Sequence, residues 1–154
     1  MQKSFGIIFL AIVNNKPEIL NIKQILEHFL LHRKTIVYRR TAYDLKKAEE
    51  RAHILEGLKI AISNLDEVVK LIKESANPPE AKAALMERFE LSEIQAQSIL
   101  DMRLQRLTGL EREKILNEYE ELMKQIAWFK EVLGDENLVR KIIRDEFVEI
   151  KEQY

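Results

Sequence analysis

Two histidines, His28 and His32, stand four residues apart, a spacing that sets both imidazoles on one helix face where they could ligate a metal. No third ligand accompanies them, and the glutamate of a zinc-protease helix is missing. The plainer reading is a pair of surface or interface side chains. His53 lies beside an apolar seam and reads as structural. The next group is basic: His32-Arg33-Lys34-Thr35-Ile36-Val37-Tyr38-Arg39-Arg40, extended by Lys46-Lys47. Arg33, Lys34, Arg39 and Arg40 could track a phosphate backbone, since cations along one helix displace counterions from a duplex. The alternative is a solvated face matched to the acidic stretch carrying Glu118, Glu120, Glu121 and Glu131. The carboxylate pairs Glu49-Glu50, Glu111 with Glu113, and Glu120-Glu121 offer no acid-base couple, because side chains one or two positions apart on a helix point different ways. No GxGxxG, P-loop or GxSxG motif occurs. The side-chain chemistry therefore predicts no catalytic, cofactor-binding or metal site.

The elements that carry these residues are long helices. The chain has 154 residues, 46% hydrophobic and 33% charged, with four Gly and three Pro. That composition can bury a core and suits solvated helices rather than a disordered tail. A formal net charge of -1 gives no bulk argument for nucleic acid. The absence of Cys excludes disulfides and thiolate metal sites and fits a reducing, cytoplasmic setting. No apolar run approaches the roughly 18 residues of a membrane span. Phe5 to Val13 lacks the flanks of a signal peptide.

Residues 4–13 (SFGIIFLAIV) predict a buried strand, Asn14-Asn15 a turn, and Glu18-Ile19-Leu20 a returning strand. A lone hairpin is marginal in water, which points to a piece of something larger. From Asn21 to about Ser63 the pattern is helical, a length of about 65 Å at ~1.5 Å per residue. Tyr38, Thr41, Leu45, Ala48, Ala52 and Leu55 repeat in steps of three and four, the heptad spacing of a helix that needs a partner. The same steps recur at Ile115, Tyr119, Leu122, Ile126, Phe129 and Leu133, and resume at Ile143, Phe147, Ile150 and Tyr154 after a break at Gly134-Asp135. The expected architecture is mainly α: an outgoing arm over 21–63, a knob over 64–109, a returning arm over 110–154, and a residual hairpin over 1–20. Pairing the arms antiparallel sets Ile22 against Ile150 and Tyr38 against Gly134. Arg39 and Arg40 then fall within reach of Glu131, Asp135 and Glu136.

Within 64–109, Asn64 can cap a helix running through Glu74, and Pro79 or Glu80 can open the next. Ser92-Glu93-Ile94-Gln95 matches a capping box. The helix expected from Ser92 to Leu107 is apolar on two sides: Ala96, Leu100, Leu104 and Leu107 on one, Ile99 and Met102 beside Arg106 on the other. A small knob has one core of its own, so a second stripe suggests a second partner. Gly57 interrupts the long helix at a cost of about 1 kcal/mol relative to Ala. It reads as close packing between arms or as a pivot.

Several stretches resemble one family. Arg51-Ala52-His53-Ile54-Leu55-Glu56-Gly57-Leu58 is similar to the RAHILEGL signature of the DNA gyrase A-subunit family, and Leu91 to Ile115 (LSEIQAQSILDMRLQRLTGLEREKI) follows that family almost residue for residue. Ser4-Phe5-Gly6 and His32-Arg33 with Arg39-Arg40-Thr41 agree as well, so the resemblance runs collinearly over the whole chain. The related topoisomerase IV A subunit shares HILEGL but departs from LDMRLQRLTGLE. The resemblance implies an antiparallel coiled coil ending in a dimerisation knob that serves as the exit gate for a transported DNA duplex. The implied partners are a second copy of the chain, DNA, and the DNA gyrase B subunit in the parent complex, with no membrane. Mg and ATP would enter only through that B subunit. The candidate dimer interface is drawn from the two stripes, Ile99, Leu100, Met102, Arg103, Leu104 and Leu107, one stripe packing inside the chain and the other across a two-fold axis, with the sequence not fixing which; Gly57 and Gly109 are candidate hinges. The family's nucleophilic tyrosine sits in an Arg-Tyr dipeptide that Tyr38, Tyr43, Tyr119 and Tyr154 do not match. The expectation is a non-catalytic piece of an ATP-dependent type IIA topoisomerase. The rival class is a stand-alone helical hairpin that binds DNA or protein.

Overall fold

The computed structural model describes residues 6–102 and 109–154, with the side chains of 109–111 left aside. The chain is mainly α-helical and carries one small hairpin. Strand β1 (Phe9–Val13) pairs antiparallel with β2 (Lys16–Leu20), Phe9 opposite Leu20 and Val13 opposite Lys16. Asn14 and Asn15 take φ of 51° and 63°, the paired left-handed conformation of a two-residue hairpin turn that Asn tolerates. The strand expected over 4–13 begins only at Phe9 within the described residues. Its partner Leu20 is followed only by the cap residue Asn21 before the helix, so the ladder ends there.

Helix α1 (Ile22–Ser63) has 42 residues. Its start is fixed by a reciprocal cap: Asn21 N–H donates to Gln24 Oε1 (2.8 Å) and Gln24 N–H to Asn21 Oδ1 (2.9 Å). Then follow α2 (Leu65–Glu74), α3 (Pro78–Phe89), α4 (Glu93–Leu100), α5 (Gly109–Gly134) and α6 (Glu136–Gln153). Asn64 precedes α2 as expected, but its amide bonds back to the Ile60 carbonyl rather than capping forward. Helix α3 opens at Pro78, slightly earlier than expected, because Asn77 accepts from Glu80 N–H and a proline in the first turn forfeits no hydrogen bond. The capping box at Ser92 and Gln95 is present. Helix α4 stops at Leu100, where Asp101 N–H bonds to the Gln97 carbonyl and Met102 N–H turns tightly to Ile99. The expected continuation to Leu107 ends here; residues 103–108 lie outside the described residues.

The chain forms two compact units, one of Met1–Ala42 with Val132–Tyr154 and one of Tyr43–Glu131. In the first, Val37, Val132, Val139 and Ile143 are buried, with Tyr38, Ile142 and Phe147 packed on them and Phe29 stacked on Phe147 at 5.8 Å. Asp135 caps α6 by accepting from Asn137 N–H at 2.8 Å, so the break after Gly134 falls where the sequence set it. The seam beyond it is shorter than expected. Ile143 and Phe147 pack, but Ile150 is half exposed and Tyr154 fully so, because Ile22 and Leu26 of α1 are exposed too and cover nothing. Val132, rather than Leu133, fills the core at this point.

In the second unit, Ala48, Ala52 and Ile126 are buried among Leu45, Tyr119, Leu122 and Phe129, which are the expected seam positions of both helices. Arg51 pairs with Glu118 (2.7 Å) and Glu49 with Lys130 (2.8 Å). The order reverses between the helices, so α1 and α5 run antiparallel here. Leu55, Leu58 and Ala61 of α1 continue into a larger core with Val68, Leu85, Leu91, Ala96, Ile99 and Ile115, which seats α2, α3 and α4.

Truncating a buried Ile to Ala costs roughly 2–5 kcal/mol. Ile126→Ala should therefore lower the melting temperature clearly, whereas Glu121→Ala, on an exposed position, should change it little. Circular dichroism melts compare the two; equal losses would mean that the seam is misassigned.

Candidate functional site

The basic segment lies on α1 in the first unit, and α6 supplies its counter-charges. Glu146 receives Arg33 on one oxygen (2.5 Å) and Arg40 on the other (2.7 Å). Glu136 receives Lys34 (2.5 Å) and Arg140 (2.9 Å). The expected partners of Arg40, namely Glu131, Asp135 and Glu136, are displaced by Glu146. The break after Gly134 restarts the helical phase, so a register read straight across it does not hold. The Arg33 guanidinium also lies over the Phe147 ring at 5.7 Å, and its Nε is buried with no hydrogen-bond partner among the described residues. Arg39 is exposed and meets no carboxylate among the described residues.

These pairs tune the carboxylates. The hydrogen bond from Arg40, aided by Arg33 and opposed by partial burial, holds Glu146 below the ordinary value of 4.5. Hydrogen bonds from Lys34 and then Arg140 lower Glu136 likewise. His28 and His32 are both exposed, and no group of three or more His, Cys, Asp or Glu among the described residues is arranged to hold a metal ion.

A second constellation joins α1 to α4 in the other unit. Helix α1 passes through Gly57 unbroken, and a Cβ there would stand 2.7 Å from both Cβ and Cγ of Gln95. The missing side chain is thus filled by Gln95, which is 5% exposed. Close packing was the expected alternative to a pivot, but the neighbour is α4 rather than the returning arm. Gln95 Oε1 accepts from Ser92 N–H (2.9 Å), and its Nε2 donates to the His53 carbonyl (2.8 Å). His53 Nε2 lies 2.7 Å from Ser92 Oγ. The sequence marked Ser92, Gln95, Gly57 and His53 separately; only packing brings them together.

The proposed interface residues divide. Ile99 is 3% exposed and belongs to the chain's own core, with Leu100 and Met102 half-buried against it. Arg103, Leu104 and Leu107 lie outside the described residues. Gly109 opens α5.

Fold and contacts together define a helix-pairing protein whose charges are matched from one helix to the next. Its sequence from residue 1 to 148 matches the family model for the A subunit of DNA gyrase/topoisomerase IV, and the chain belongs to that family. The DNA gyrase A subunit of Clostridium acetobutylicum is 58% identical over all of this chain and 19% of that protein. The DNA gyrase A subunits of Halalkalibacterium halodurans and Lawsonia intracellularis are 57% and 56% identical, again over the whole chain. The chain therefore spans under a fifth of the length of the curated relatives it matches, at 18–19% of each. Among the described residues no helix is long and apolar enough to cross a membrane.

Two outcomes follow. Glu146 has a lowered folded pKa, so its contribution is present above its unfolded value and lost as pH falls through the folded one. The melting-temperature gap between the wild type and Glu146→Gln should be widest near neutrality and close as pH drops below about 4.5, and added salt should narrow it. Gly57→Leu improves helix propensity by about 1 kcal/mol but overpacks Gln95, a change that costs roughly 1–3 kcal/mol. Thermal melts should show net destabilisation, and a more stable variant would refute the close approach.

Proposed function

We propose that this chain is the coiled-coil and exit-gate region of a DNA gyrase A subunit. Residues 21–63 and 110–154 act as the two arms and 64–109 as the knob. The knob holds two protomers together while DNA is broken elsewhere in the parent enzyme, and it opens to release the transported duplex. The observation that carries this reading is the order of the helices. A 42-residue helix leads into three short helices, and the next long helix pairs back on it with its ion-pair partners in reverse order. Such an element moves a distal group stiffly and needs no reactive side chain. A gate also needs closed and open states within a few kcal/mol of each other, which a small knob interface can supply.

The parent activity is ATP-dependent DNA supercoiling by a type IIA topoisomerase, with the DNA gyrase B subunit contributing Mg and ATP. This chain contributes no cleavage. Tyr38 packs on a core, Tyr119 lies under the Lys59 ammonium at 5.1 Å, and Tyr43 lies under Lys47 at 5.9 Å, which are packing and surface roles. The gyrase reading is favoured over the topoisomerase IV A subunit by the LDMRLQRLTGLE stretch and by the names of the relatives. A stand-alone DNA-binding hairpin is less favoured, because Arg33, Lys34 and Arg40 already have carboxylate partners.

Sedimentation over a range of concentrations tests the gate. The intact chain should form a homodimer. A variant with 64–109 replaced by a short Gly-rich turn should keep its helical circular dichroism and sediment as a monomer. A deleted chain that stays dimeric would move the interface to the arms and overturn the proposal.

A further inference from the structure

The contact between α1 and α4 contains an imidazole whose two ring nitrogens both meet side chains of α4 and its cap. The orientation of Gln95 is fixed by its neighbours. Ser92 N–H requires an acceptor, so the oxygen of the Gln95 amide faces it; the His53 carbonyl requires a donor, so the nitrogen faces that. The second hydrogen of Gln95 Nε2 is then directed at His53 Nδ1, 3.4 Å away. Nδ1 must present its lone pair, which leaves the imidazole hydrogen on Nε2, where it donates to Ser92 Oγ at 2.7 Å. The same hydroxyl accepts from Gln95 N–H at 3.3 Å and so caps α4. Both ring nitrogens and both ends of the Gln95 amide are matched only while the imidazole is neutral.

We propose that His53 is a proton-controlled latch between α1 and α4: the neutral ring holds Gln95 and Ser92 in place, and a second proton on the ring releases Gln95. Protonation turns Nδ1 into a donor facing another donor. The surrounding charges act in the same direction. Glu49 and Glu56 line, with His53, the α1 side of a hollow of about 320 Å³ toward α5, into which they draw a cationic ring away from α4. Across that hollow α5 presents Tyr119 and Lys130, the latter already paired with Glu49 at 2.8 Å. On α4 the nearest charge, Glu93, is paired with Lys82 at 2.8 Å. Displaced Gln95 has no alternative seat, because Gly57 leaves only the space that its side chain fills. The first turn of α4 therefore loosens on α1.

Nuclear magnetic resonance of the ¹⁵N-labelled intact chain between about pH 8 and pH 5, the window in which histidine charge changes, tests this latch. The Gln95 side-chain amide and the Ser92 and Gln95 backbone amides should shift together with the His53 ring. Exchange of the Gln95 backbone amide should also gain an excess over its intrinsic rate on the acid side. In His53→Gln these changes should vanish. Gln95→Met keeps the side-chain volume and covers the case in which His53→Gln fails to fold: the residue-95 backbone amide should then show no excess exchange on the acid side, although the Ser92 hydroxyl still meets the His53 ring. Gln95 signals that stay fixed while His53 titrates, or that move equally in His53→Gln, would overturn the latch.

Discussion

Everything in this chain depends on covering one narrow apolar stripe on a helix too long to be stable by itself. Isolated helices in water are marginal, and tertiary packing supplies most of their stability. Along Tyr43–Glu131 the cover for α1 is α5, and the contact is thin: two alanines, Ala48 and Ala52, against Ile126, with half-buried Leu45, Leu122 and Phe129 at the sides. Small residues on one helix let a branched residue on the other approach closely. The charged flanks then fall opposite one another, which gives the Arg51–Glu118 and Glu49–Lys130 pairs. Exposed pairs of this kind contribute at most about 1 kcal/mol each, so they select orientation more than they stabilise.

Where α1 meets α2, α3 and α4 the balance changes from stripe to core. Leu55, Leu58 and Ala61 face several elements at once, and Leu85 and Ala96 lose all solvent contact. A buried polar side chain, Gln95, sits at the edge of this core. Gln95 fixes the angle at which α4 crosses α1, because both ends of its amide are bound and Gly57 admits nothing larger. Buried polar networks specify one arrangement when fully satisfied and penalise it when one partner is lost. That asymmetry suits a contact meant to hold one geometry under one condition.

How much of this was legible in the sequence follows from the range of the interactions. The seam positions from Thr41 to Leu55 and from Ile115 to Phe129 were readable because heptad periodicity is a property of each helix alone. The Asn14-Asn15 turn, the Gly134 stop and the Ser92 capping box were readable for the same reason, since each is decided within four residues. The partner of Arg40 was not, because it depends on the helical phase after a break. Nor was the exposure of Ile150, which depends on what α1 offers opposite it. Gln95 is the clearest case: a glutamine at N3 of a capping box is ordinarily a surface residue, and only a glycine thirty-eight positions earlier makes it a buried one.

The distribution of unmet demand separates the two units. Among the described residues of Tyr43–Glu131 the large apolar side chains are mostly spent, with Ile94 and Tyr43 the most exposed at 61% each. In Met1–Ala42 with Val132–Tyr154 they are not: Ile8 and Ile12 are each 78% exposed, Ile19 72% and Leu31 61%. A two-stranded hairpin cannot cover both its own faces, and Ile22, Leu26 and Leu31 of α1 add apolar side chains that stay more than half exposed among the described residues. Ile99 belongs to the side where demand is met, so its burial is a matter of folding. Ile99, 3% exposed, is therefore spent within its own chain.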